Sequence, residues 1–196
     1  KNTGMWWSVK RREMIGQKIN RDNRLDYAPN QIVVSSGGKQ NFYNIAAALL
    51  NPGDEVIIHA PYWVSFPDMV LLNDAKPVIV FAGIDDNFKI MPTQLESAIT
   101  PKTRLLVLNS PCNPTSVAYT RQELAALGQV LAKHPNIMIA TDDMYEKILW
   151  GIEPFCNILM ACQDLYDRTI VLHGVSKTYA MTGWRMGWSL VLCTSS

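Results

Sequence analysis

From Gln31 onward the chain alternates short apolar runs with stretches whose apolar residues recur at helical spacing. The runs Ile32–Ser35, Glu55–His59, Pro77–Phe81, Arg104–Asn109, Ile137–Thr141 and Ile170–His173 predict strands, and the apolar run from Ser189 predicts one more. Helices are predicted over Asn41–Leu50, Val64–Leu72, Pro92–Ile99 and Arg121–Lys133, with Asn51-Pro-Gly-Asp54 as a turn. Several strands are continuous apolar runs rather than apolar/polar alternations. Burial on both faces demands that pattern, and the repeated strand–helix order agrees with it. The expected fold is therefore α/β, a mostly parallel sheet covered by helices on both faces.

Composition narrows the class further. The 196 residues suffice for one well-buried domain, and 48% hydrophobic against 18% charged residues can build a core. Lys and Arg total 18 against 17 Asp and Glu, a net charge of +1 that argues against a nucleic-acid or membrane-surface binder. The four cysteines (Cys112, Cys156, Cys162, Cys193) form no C-x-x-C pair, and His59, His134 and His173 are scattered. No metal site is expected, and reduced thiols fit a cytoplasmic compartment, although an organellar address at the true N-terminus is not visible. The chain opens on Lys1-Asn-Thr-Gly4 without an initiator Met and closes on a polar tail, so a fragment of a longer protein is expected.

In an open α/β sheet, ligands sit beyond the carboxyl ends of the strands. That rule selects Gly37-Gly38-Lys39, Asn109 to Thr115, Asp142-Asp143 and Gly174 to Lys177. Gly37-Gly38, between a strand and a helix, can seat a phosphate on bare backbone N–H groups or can be a mere turn. Lys39 in a helix's first turn opposes the macrodipole unless it meets an anion. Asp142 ends a fully apolar strand, where an ionised carboxylate needs a cationic partner. Asp143 competes for that role but is expected to face solvent or to start a helix. Lys177 lies in a tight loop flanked by small residues and can attack a carbonyl carbon if its amine is kept partly unprotonated. Taken alone it reads as a surface lysine in a loop, by far the commoner fate of lysines.

The stretch Gly174-Val-Ser-Lys-Thr-Tyr-Ala-Met-Thr-Gly-Trp-Arg-Met-Gly187 resembles the pyridoxal-phosphate attachment signature of class I aminotransferases. Gln31-Ile-Val-Val-Ser-Ser-Gly-Gly-Lys-Gln40, Asn51-Pro-Gly-Asp-Glu-Val-Ile-Ile58, Ala60-Pro-Tyr-Trp-Val-Ser65, Asn109-Ser-Pro-Cys-Asn-Pro-Thr115 and Asp142-Asp-Met-Tyr-Glu146 follow in the order of the aspartate/prephenate aminotransferase branch. The resemblance runs from about Asn2 to Gly187. It implies a fold type I large domain over the whole chain, the cofactor pyridoxal 5′-phosphate, and amino transfer between an acidic amino acid and a 2-oxo acid. Prephenate/arogenate is a further substrate pair, and a homodimer is implied at full length.

Roles follow from the same resemblance. Lys177 forms the Schiff base and shuttles the α-proton; Arg185 clamps the cofactor phosphate beside Gly37, Gly38 and Ser176. Asp142 meets the pyridine nitrogen. Tyr145 and Asn113 reach the cofactor's 3′-oxygen, although Tyr145 also reads as a core aromatic. Trp63 stacks on the cofactor ring and faces substrate, whereas Trp6 and Trp7 have no expected site role. Lys39 contacts the substrate's acidic side chain, with phosphate contact as the alternative; Asn113 also faces the substrate.

A cis Asn113–Pro114 bond is implied. Where the family pattern reads Asn-Pro-Thr-Gly this chain has Ser116, which costs roughly 1–2 kcal/mol if the position needs φ > 0. The family's N-terminal arm and C-terminal small domain, which supplies an arginine for the substrate α-carboxylate, are not in this chain, so little turnover is expected of it alone. Two other readings share the fold: a non-catalytic ligand-sensing domain of a regulator, and a lyase or decarboxylase using the same lysine.

Overall fold

Six strands of the sheet run parallel and a seventh runs against them. The structure, a computed structural model, describes residues 8–151 and 153–191. The expected positions of Trp6, Trp7 and Cys193 lie outside the described residues. Strands β1 (Ile32–Ser35), β2 (Glu55–Ala60), β3 (Lys76–Phe81), β4 (Thr103–Asn109), β5 (Met138–Asp142), β6 (Thr169–Gly174) and β7 (Gly187–Leu190) form one sheet. Its order is β1-β7-β6-β5-β4-β2-β3. Only β7 is reversed, pairing antiparallel with both β1 and β6.

The expected both-sided burial holds for the interior strands. β2 and β6 are buried at every position, whereas β3 at the sheet's edge is half exposed. Alternate residues of one strand feed different cores. Val56 and Ile58 pack with Leu105, Val107, Ala140 and Leu172 under α2 (Gly38–Leu49) and α3 (Ser65–Leu71). Ile57 points the other way, with Leu106, Leu108 and Ile139, towards α5 (Arg121–Ala132). The short α4 (Pro92–Ala98) and α6 (Ile158–Ala161) join this second core through Leu95 and Ile158, while Leu159 of α6 packs in a third one.

Helix α1 (Val9–Asn23) is an element the apolar pattern does not announce. Nearly half its sequence is charged, and of its four buried residues two, Lys18 and Asn23, are polar. Only Ile15 and Ile19, one turn apart, reach the core, where they meet Ile32, Val34, Val171 and Trp188. Helix α5 is capped at its N-terminus by side chains. Thr120 Oγ1 accepts the Glu123 N–H at 3.2 Å and Glu123 Oε2 accepts the Thr120 N–H at 2.7 Å, a reciprocal cap.

Candidate active site

The parallel strands end along one edge, and the reversed β7 begins there, so seven strand termini feed one rim. From β1, Gly37 turns the chain with φ +91° and caps α2, whose first residues are Gly38 and Lys39. β2 hands over to Trp63, β4 ends on Asn109, β5 on Asp142, and β6 on Gly174 just before Ser176 and Lys177. Arg185 precedes β7. A cleft of about 300 Å³ lies on this rim, lined by Gly38, Lys39, Trp63, Asn113, Asp142, Tyr145, Ser176, Lys177 and Arg185. Nine of the ten expected site residues therefore converge. The tenth, Gly37, adjoins them, because a methyl group built on it would strike the Arg185 guanidinium.

Each side chain has a local cause for its position. Arg185 takes a left-handed conformation (φ 49°) and gives Nη1 to Thr182 O at 3.1 Å and Nη2 to Ser36 O at 3.4 Å. This holds the guanidinium against the N-terminus of α2, where unpaired backbone N–H groups and the helix dipole both favour an anion. Gly187 permits the close approach: a Cβ there would lie 2.6 Å from Gly37 C and 2.8 Å from Gly38 N.

Asp142 is 9% exposed and its carboxylate accepts one hydrogen bond, from Met144 N–H at 3.1 Å. Burial outweighs that bond and pushes its carboxyl up to about 6. A carboxylate so placed is short of a cation, and a protonated ring nitrogen supplies one. Asn109 ties the neighbouring loops together: Nδ2 donates to Asp142 O at 3.0 Å and Oδ1 accepts the Asn113 N–H at 2.8 Å. Burial and the Asp142 charge push the Tyr145 hydroxyl up, and the nearby Asn113 side chain offsets this only in part. The Asn113–Pro114 bond is cis, as the resemblance implies, and Ser116 does sit at φ 62°.

Lys177 makes no hydrogen bond or ion pair that would hold its amine back from the cleft among the described residues. Lys39 places its ammonium 5.1 Å from the Trp63 ring centroid, so two of the three residues expected at the substrate already touch. Phosphate seat, buried carboxylate, ring-facing phenol and amide, and unengaged lysine match the parts of pyridoxal phosphate, and the residues fit that cofactor.

One expectation is corrected. Asp143 neither faces solvent nor starts a helix: it is 1% exposed and accepts hydrogen bonds from Thr141 Oγ1 at 2.8 Å and from Asn157 Nδ2. Burial pushes its carboxyl well above the usual range. Two lining residues, Met144 and Thr182, have no role in the sequence reading, and Asn109 is picked out by the strand-end rule without a role assigned to it. Met144, which packs its Sδ within 3.3 Å of where a Gly38 Cβ would lie, carries no signal in the sequence.

Comparison with known proteins supplies the relatives. The chain is 56% identical over 188 residues to the aspartate/prephenate aminotransferase of Nitrosomonas europaea, covering 96% of this chain and 47% of that protein. Among solved structures, the aspartate aminotransferase of Rhizobium meliloti superposes with a TM-score of 0.90 at 41% identity, over 92% of this chain and 45% of that one. The Thermus thermophilus aspartate aminotransferase with maleate gives 0.88 at 37% identity, over 93% and 47%. The chain thus spans about half the length of the curated relatives it matches. Residues 6–195 match the family described as aminotransferase class I and II, and the chain belongs to that family.

Proposed function

We propose that the protein is a pyridoxal-phosphate-dependent aminotransferase that moves an amino group between an acidic amino acid and a 2-oxo acid. The observation that carries this reading is the convergence of Lys177, Asp142 and Arg185 with the N-terminus of α2 in one cleft. Pyridoxal phosphate, when bound, supplies a conjugated ring that accepts the electron pair released at the substrate's Cα. The chain's residues do the rest. Arg185 and the N–H groups of Gly38 and Lys39 hold the phosphate, with Ser176 beside them. Asp142 holds a proton on the ring nitrogen, because its buried charge, which the Met144 N–H offsets only in part, is stabilised by a cation there. Asn113 and Tyr145 donate to the ring oxygen and fix the ring's rotation. Lys177 Nζ anchors the cofactor and carries the α-proton. Trp63 bounds one side of the substrate space, and Lys39 offers its charge to a side-chain carboxylate.

The acidic substrate is supported by Lys39 and by the Thermus thermophilus relative, which was solved with maleate, a dicarboxylate. Prephenate as a second amino acceptor is supported by the name of the Nitrosomonas europaea relative. In this reading the chain is the cofactor-binding large domain of a homodimeric, cytoplasmic enzyme. The exposed apolar Val64, Leu71 and Leu72 in and around α3, beside Trp63, support a subunit contact, and the free thiols Cys112, Cys156 and Cys162 support a reducing compartment. The deciding experiment is borohydride reduction of the full-length protein with pyridoxal phosphate. The label maps to Lys177 and disappears in Lys177→Ala, and aspartate with a 2-oxo acid gives the paired products. A folded protein that takes no label overturns the reading.

A further inference from the structure

Glu146 closes the Asp142–Glu146 segment yet does not line the cleft. Its side chain is 1% exposed and is enclosed by groups from two other elements. Oε1 is ion-paired with Lys18 of α1 and lies 3.2 Å from His173 Nε2 at the end of β6, while Oε2 accepts Asn23 Nδ2 at 3.1 Å. Asp22 stands 3.8 Å from Lys18 Nζ and 3.1 Å from Lys147 Nζ, so the cluster is rimmed by a second, more exposed charge set. Burial raises the Glu146 carboxyl, but His173 and Lys18 outweigh it and hold the group down to about 2. Burial pushes the His173 imidazole down, against the pull of Glu146.

The ring has a defined orientation. His173 Nδ1 lies 2.7 Å from Gly174 N, and Nε2 faces Glu146 Oε1 at 3.2 Å and Lys18 Nζ at 3.4 Å. The ring also stacks on Trp188, 4.7 Å between centroids and 6° from parallel, which prevents it from swinging away. The Gly174 N–H is the first group of the segment that carries Ser176 and Lys177. Glu146 directly follows Tyr145. One carboxylate therefore clamps the turn bearing Asp142 and Tyr145 to the strand end bearing Lys177. A buried ion pair adds little stability over an apolar filling of the same volume, so its use here points to geometry rather than to energy.

We propose that Glu146 is a positioning residue for Lys177: through His173 it fixes the end of β6 against the Asp142–Tyr145 turn, and so sets where the Lys177 amine meets the cofactor. This rests on the cofactor reading above. The test compares two ligands in the full-length apoprotein. Pyridoxal phosphate carries an aldehyde that condenses with the lysine amine, forming a C=N bond and releasing one water; pyridoxamine phosphate has no aldehyde and is held by ring and phosphate contacts alone.

In Glu146→Gln, affinity for pyridoxal phosphate falls about tenfold or more while that for pyridoxamine phosphate stays within about threefold. His173→Phe, which keeps the stack on Trp188 and removes the hydrogen bond, shifts the ratio in the same direction and decides the matter if Glu146→Gln does not fold. Equal losses for both ligands mean a merely structural role and overturn the proposal, as does an unchanged ratio. A wild-type protein that binds neither ligand overturns the cofactor reading itself and this inference with it.

Discussion

Lys39 rests its ammonium over the indole of Trp63, 5.1 Å from the ring centroid, where both side chains line the cleft. An exposed cation–π contact is worth only about 0.5–1 kcal/mol, so a carboxylate brought to the same place competes for the ammonium with advantage. Lys39→Met keeps the aliphatic stem over Trp63 and removes the charge. Its expected effect is a KM for aspartate raised roughly 10–100-fold, with an aromatic amino acid changed by less than about threefold. Steady-state kinetics with the two substrates check this, and equal changes for both would place Lys39 on the cofactor phosphate instead.

Asp142 makes the cofactor-free protein pH-sensitive. Its carboxyl sits at about 6 in the fold against 3.8 in the unfolded chain. The folded state thus holds this proton more tightly, and stability declines as pH rises from about 4 to 6, then levels off; the full effect is on the order of 3 kcal/mol. Asp142→Asn should flatten that segment of the melting-temperature profile and raise the apoprotein's melting temperature at neutral pH. The same substitution should weaken cofactor binding, since the amide offers no charge to the ring nitrogen. Parallel profiles for the two proteins would remove Asp142 as the source.

Gly187 has no room for a side chain. A methyl group there meets Gly37 C at 2.6 Å, Gly38 N at 2.8 Å and Asn41 Nδ2 at 3.0 Å, two of them backbone atoms of the phosphate seat. Gly187→Ala is expected to cost about 1–3 kcal/mol and to weaken cofactor binding as well. Gly151→Ala, with nothing within 4 Å, serves as the control. Denaturant midpoints and equilibrium dialysis give the two readouts.

Ser116 occupies a left-handed position, with φ 62°, and its N–H donates to Cys112 O at 2.8 Å. Ser116→Gly relieves the Cβ clash but loosens the unfolded chain, for a net gain of roughly 0.5–1 kcal/mol. A melting temperature unchanged or lowered in Ser116→Gly would show that the turn tolerates its side chain without strain.

Continuous apolar runs such as Glu55–Ala60 and Thr169–Gly174 announced buried parallel strands, and the strand-end rule then picked out most of the cleft. What the pattern could not carry was direction and polar burial. The apolar run from Ser189 marks a strand, which the structure places at Gly187–Leu190, but nothing in it distinguishes the reversed orientation that brings Arg185 to the rim. Helix α1 was hidden because half its buried residues are Lys18 and Asn23, whose partner Glu146 lies over a hundred residues away. Asp142 and Asp143 look alike as neighbours. They separate only when Thr141 and Asn157 close around the second and leave the first facing the cleft.

The reversal of β7 makes Lys177 and Arg185 passengers on one closed excursion of the chain. It leaves the sheet at Gly174, returns at Gly187, and is pinned at its base by the pairing of those two residues and by the Val175 N–H to Met186 O bond at 3.1 Å. Met181 N–H folds the interior back onto Val175 O at 3.2 Å. If Lys177 and Arg185 hold the cofactor as proposed, its anchoring amine and its guanidinium grip are set by a single length of polypeptide, like the two jaws of a calliper on one bar. Residues within the excursion can be exchanged while the gap is kept, but adding or removing one resets the gap itself. Divergence among proteins built this way should run through substitution in residues 175–186 and leave their number untouched.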